Sequence, residues 1–125
     1  MAITITPLST QFVDVTVNDT DVSDTVRVDI TQGTGSVYFI EVGNGIGSSS
    51  ISFKLYDSTT VTLGTTEPIF IMKVAASATE AVVIPDGMAF TSGLSYCATD
   101  QNGNQVAGSG FGSLSGDISL KLITS

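Results

Sequence analysis

Chemistry in a protein needs nucleophiles, bases or metal ligands at workable spacing, and this chain is poor in all three. It has no His, no Trp and a single Cys. A Ser-His-Asp triad, a Cys-His pair and a His-ligated zinc site are excluded by composition. The best-spaced oxygen ligands are Asp19, Asp21 and Asp24, in Asp19-Thr20-Asp21-Val22-Ser23-Asp24. Hard cations take several convergent oxygens, and this segment has the opening spacing of a calcium loop. It lacks the central Gly, and Ile30 stands where a bidentate Glu is needed. An exposed acidic turn is the plainer reading. The expectation is no metal and no cofactor, with Asp19, Asp21 and Asp24 as the fallback ligand set.

The remaining candidates fare no better. Gly43-Asn44-Gly45-Ile46-Gly47 invites a phosphate-loop reading, but a phosphate cradle needs backbone amides at a helix N-terminus. Here Ser48-Ser49-Ser50 and a strand-like run follow, and a hairpin loop fits better. Asp100-Gln101-Asn102-Gly103-Asn104 is rich in oxygen, and its simplest use is a tight turn. Twelve acids are available for paired-carboxylate hydrolysis, yet nothing marks two of them as buried together. Tyr38, Tyr56 and Tyr96 could replace the absent Trp as a sugar platform, or serve as core and rim residues. Cys97, in Leu94-Ser95-Tyr96-Cys97-Ala98, reads as a small buried hydrophobe, because no His or nearby cation lowers its pKa. The expectation is that the protein is not an enzyme.

The elements that would position any site are strands. Apolar residues alternate with polar ones at Ile3 and Ile5, at Val13, Val15 and Val17, and at Val26, Val28 and Ile30. The same period recurs at Ile51, Phe53 and Leu55, and at Ile118, Leu120 and Leu122. Each pattern turns one face inward. Runs 37–42, 69–74, 79–84 and 94–99 alternate less, are short and β-branched, and read as strands buried on both faces. Asn18-Asp19-Thr20-Asp21, Gln32-Gly33-Thr34-Gly35, Pro85-Asp86-Gly87 and Asn102-Gly103 punctuate them. Segment 74–81 tempts a helix but lacks an apolar face, and reads as a turn. The chain is expected to be all-β: a single-domain antiparallel β-sandwich over residues 1–125, with eight or nine strands and a jelly roll as one possible order.

Composition limits the partners. The 125 residues carry four Lys and Arg against twelve Asp and Glu, a net charge of −8. That field repels nucleic acid and anionic membrane. Charged residues are only 13% of the chain while apolar residues are 42%, so the surface is lightly charged and poorly defended against association. The N-terminus lacks a basic region and a long apolar region, so no signal peptide is expected. Residues 1–8 form either an edge strand or an arm that adds to another subunit's sheet. Ile3, Ile5 and Leu8 there, with Phe111 and Leu114 in the glycine-rich run 108–116, are the candidate interface residues.

One stretch adds a resemblance. Phe53-Lys54-Leu55-Tyr56-Asp57 leads through Thr65-Thr66-Glu67-Pro68 and an apolar run to Pro85-Asp86-Gly87, then Phe90-Thr91-Ser92-Gly93-Leu94-Ser95-Tyr96. Over residues 51–99 this resembles small β-rich structural proteins of tailed bacteriophages. The resemblance implies a virion protein, most simply a capsid decoration (cement) protein that binds the major capsid protein or other virion proteins as a homo-oligomer. It implies assembly in the host cytoplasm and supplies no catalytic residues. A neck, tail or fibre component is the alternative within the virion. A carbohydrate-binding β-sandwich is the alternative of another class.

Overall fold

The computed structural model describes residues 3–9, 14–23, 25–47, 49–100 and 118–125. They form nine strands and, among the described residues, no helix. The strands are β1 (Ile3–Ser9), β2 (Asp14–Asp19), β3 (Arg27–Gln32), β4 (Gly35–Asn44) and β5 (Ile51–Asp57). They continue with β6 (Phe70–Val74), β7 (Thr79–Phe90), β8 (Gly93–Asp100) and β9 (Ile118–Thr124). A five-stranded sheet has the order β1-β2-β9-β4-β7, and a four-stranded sheet the order β3-β8-β5-β6. The expected all-β antiparallel sandwich is the observed architecture.

The strand order has a simple origin. The chain pairs as one long folded hairpin, with β5 on β6, then β4 on β7, β3 on β8 and β2 on β9. Rolling that hairpin brings β9 beside β4 and β8 beside β5. The eight strands β2–β9 thus complete a jelly roll. β1 lies outside the roll and pairs with β2 as an extra edge strand.

Period two in the sequence becomes one dry face except on β3. There the expected inward Val28 is 48% exposed, because Arg27, opposite the core residue Tyr96, turns inward to Asp19. A row of side chains crosses the inner face of the larger sheet through Ile5, Val17, Leu122, Ile40 and Val82. Val17, Leu122 and Ile40 are fully buried, whereas Ile5 on the edge strand is 47% exposed. Against them the smaller sheet packs Ile51, Phe53, Leu55, Leu94, Tyr96 and Ala98. The rings of Phe53 and Tyr96 meet with centroids 6.1 Å apart.

The expectation of strands buried on both faces holds for 94–99, whose residues are all buried, because β8 is central in its sheet. It fails for 37–42, where Tyr38, Phe39 and Glu41 of β4 are only partly buried on the outward face, and for 69–74 and 79–84. β6 and β7 are edge strands, and alternate residues such as Ile71 and Val83 face outward. Pro85-Asp86-Gly87 does not end a strand as expected; it lies within β7. Segment 75–78 is the expected turn, closed by Ala78 N–H donating to the Ala75 carbonyl at 3.1 Å.

Candidate functional site: the outward face of the five-stranded sheet

The acidic segment proves to be structural at its first residue. Asp19 ends β2 pointing inward and is fully buried, not an exposed turn acid. Its Oδ2 accepts from the Tyr96 hydroxyl at 2.7 Å and lies 3.8 Å from Arg27 Nε; its Oδ1 accepts from the Asp21 N–H at 2.8 Å. One carboxyl therefore ties β2 of one sheet to β8 and β3 of the other. Burial first, then the hydrogen bond to Asp19 and its charge, push the Tyr96 phenol well above its ordinary pKa, against an opposing pull from Arg27. Asp21 is exposed and Asp24 lies outside the described residues. Among the described residues, no group of three or more Cys, Asp or Glu side chains is placed to hold a metal ion.

The glycine-rich loop is pinned rather than slack. Asn44 is buried, and its Nδ2 donates to the carbonyls of Ser49 at 2.8 Å and Ala75 at 3.1 Å, with Val74 O at 3.3 Å. Its Oδ1 accepts from the Ile46 N–H at 3.0 Å. No helix N-terminus converges there. Beside it lies an open notch of about 550 Å³ around Gly43, rimmed by the hydroxyl residues Thr20, Ser77, Thr79 and Ser119.

Two of the three tyrosines are unavailable as a platform. Tyr96 lies in the core, and Tyr56 is buried on the outward side of the smaller sheet with Cys97. Burial, then the charge of Cys97 and a hydrogen bond to it, push the Tyr56 phenol far above its ordinary range. Cys97 is fully buried. Tyr38 alone of the three is partly exposed.

Tyr38 owes that exposure to backbone geometry. Val37 pairs with Thr124 and Phe39 with Ile123, so two steps along β4 match one along β9. That is a β-bulge, and it turns Tyr38 and Phe39 to the same side while Val37 and Ile40 stay fully buried. On the other flank, β7 spends residues 84–87 between Val83, opposite Phe39, and Met88, opposite Val37. Gly87 makes this possible. Its φ is +80°, and a Cβ there would lie 2.8 Å from both Tyr38 Cε1 and Ser36 Cβ.

The outward face is ordered in rows. An apolar row runs Val83, Phe39 and Ile123 and ends at Thr16. The next runs Ala81, Glu41, Lys121, Asn18 and Thr4, with Glu41 and Lys121 as cross-strand neighbours of opposite charge. The third is Thr79, Gly43 and Ser119, which forms the notch. Sequence reasoning missed this face because the bulge breaks the period that would reveal it.

The expected interface residues are only partly placed together. Ile3 packs against the core and Ile5 is exposed on β1. Leu8 belongs to β1, and its side chain is outside the described set; Phe111 and Leu114 lie outside the described residues. The exposed large apolar side chains among the described residues are Ile5 on β1, Val28 on β3, Ile71 on β6, Ile69 just before β6, and Val83 on β7. All sit on or beside a sheet edge.

No family model matches the sequence, and no curated protein matches it. Among solved structures, one chain described with the words "Bacillus endospore appendages form a novel family of disulfide-linked pili" aligns over 99% of this chain and 88% of its own. The identity is 13% and the TM-score 0.42, a likeness too distant to carry any argument about this protein.

Proposed function

We propose that this chain is a non-enzymatic structural protein of a tailed-phage virion, acting as a decoration protein that binds and braces the capsid shell. The carrying observation is where the apolar surface lies. Ile5, Val28, Ile69, Ile71 and Val83 are exposed on or beside the four sheet edges, where a second protein can add backbone hydrogen bonds to apolar burial. The resemblance over residues 51–99 gives that partner its identity as virion protein. A standard contact buries about 800 Å² per partner, and repeated attachment on a symmetric shell lets modest contacts add up. The test is co-sedimentation of the purified protein with emptied capsids, together with copy number per particle by quantitative mass spectrometry. Saturable pelleting at shell-like stoichiometry is expected. Failure to pellet counts against decoration, and a copy number near that of the portal assigns the chain to neck or tail.

A second reading has one observation in its favour. The notch around Gly43 carries hydroxyls suited to a sugar, so a carbohydrate-binding role is its natural alternative use. Glycan-array binding that is lost on substituting Ser119 by a bulky residue would favour it over the shell.

A further inference from the structure

We infer that the outward face of the five-stranded sheet is a contact between two copies of this chain. The face carries one charge of each sign at its centre, Glu41 on β4 and Lys121 on the adjacent β9. A partner surface of one sign would satisfy one and oppose the other. A second copy related by a two-fold axis satisfies both. The axis runs parallel to the strands, midway between β4 and β9, in the plane between the two stacked faces. It sets β9 of one copy over β4 of the other at equal height. Glu41 then faces the other copy's Lys121, and Lys121 the other copy's Glu41.

The same operation places Phe39 over Ile123 in both directions, because these two are also cross-strand neighbours on β4 and β9. Apolar pairs thus flank the charge pairs twice over. Val83, 67% exposed, extends the apolar strip from β7, and the bulge that turns Tyr38 outward widens it. Such an isologous, self-complementary patch is what a closed dimer requires. It also answers the self-repulsion of two chains at −8 each, since the central pairs attract where the wider fields repel. The contact stands independently of the virion reading, as it asks only for a second copy.

The test is sedimentation equilibrium of the full chain with charge variants. The unaltered protein is expected to reach dimer as concentration rises. Glu41→Lys and Lys121→Glu should each weaken dimerisation by about tenfold or more, and the double reversal should bring it back to within a few-fold of the original. Val83→Asp, at an exposed position that spares the fold, should weaken it as well. Carbodiimide cross-linking of an equal mixture of light and 15N-labelled chains should join a light Glu41 peptide to a heavy Lys121 peptide. A chain that stays monomeric at its highest soluble concentration overturns the inference. So does a dimer that ignores both single reversals, or a Glu41–Lys121 cross-link formed only within one isotope. Lost dimerisation with unchanged capsid pelleting would separate this contact from attachment to the shell.

Discussion

The two sheets treat their outward faces in opposite ways. On the four-stranded sheet, Ser52 and Tyr56 of β5 and Ser95, Cys97 and Thr99 of β8 point away from the main core and are nonetheless buried. On the five-stranded sheet, Ala81, Ser119, Lys121 and Val83 point away from the same core and are exposed. The difference shows which surface the fold has already used. Two of these hydroxyls are satisfied internally, Ser95 Oγ donating to the Ser58 carbonyl and Thr99 Oγ1 to the Ser52 carbonyl. The centre of its outward side is finished protein interior, while the edge strand β6 exposes Ile71 and Lys73 on that face. The larger sheet offers an apolar row, a charge pair and a notch to something else.

The largest effect should come from emptying the closed side. Tyr56→Ala removes a fully enclosed ring and should cost about 3–5 kcal/mol of stability, measured by denaturant unfolding. Val83→Ala, on the open side, should stay within about 0.5 kcal/mol. Comparable costs at both positions would erase the contrast between the faces.

Next in size is the carboxyl that joins the sheets beneath both faces. Asp19→Ala strands the Tyr96 hydroxyl and removes the carboxylate 3.8 Å from Arg27 Nε, and should cost about 3 kcal/mol. Tyr96→Phe in the same background should add less than it does alone, because the shared hydrogen bond is already gone. Strictly additive costs in a double-mutant cycle would show that the two groups do not act as a unit.

What was legible in the sequence followed from local period. Val15 and Val17, or Leu120 and Leu122, fix their strands and their inward faces without reference to anything distant. The order of the strands was not legible, because each pairing of the rolled hairpin beyond its tip joins segments far apart in the chain. Asp19 was misread for the same reason. Its acceptor role depends on Tyr96, 77 residues away, and nothing in Asp19-Thr20-Asp21 announces a buried partner. Tyr38-Phe39 reads as part of an apolar run buried on both sides. Only the one-residue slip against β9 shows that both rings turn to the outward face. The Gly87 signal was visible as a turn residue, but its use inside a strand depends on Ser36 and Tyr38 crowding it.

The open face can itself be tested through that glycine. Gly87→Ala puts a Cβ into a left-handed backbone position and against Tyr38. A cost of about 1–2 kcal/mol is expected, with Tyr38 shifted from its place beside Phe39. The shift is readable as a change in the two rings' aromatic side-chain NMR signals. A neutral substitution with unchanged spectra would mean that Gly87, in the stretch 84–87 of β7, does not hold Tyr38 in position.

The smallest effect concerns an acid at the rim. Asp57, at the end of β5, accepts hydrogen bonds from the N–H groups of Thr91 and Ser92 and from the Thr91 hydroxyl, closing the turn between β7 and β8. Burial raises its pKa, but the backbone N–H groups of Ser92, Thr91 and Gly93, with the Thr91 hydroxyl, outweigh it, and the net shift is downward from 3.8. A folded-state pKa below the unfolded one means that unfolding takes up protons in this range. The stabilisation is therefore complete above the unfolded value and drains away as pH falls through the folded one. Asp57→Asn should lower stability slightly at neutral pH and flatten its decline on acidification below about pH 4. Solvent at this rim keeps the effect well under that of Asp19. If the variant and the original lose stability in parallel from neutral pH to acid, the turn does not depend on this carboxylate's charge.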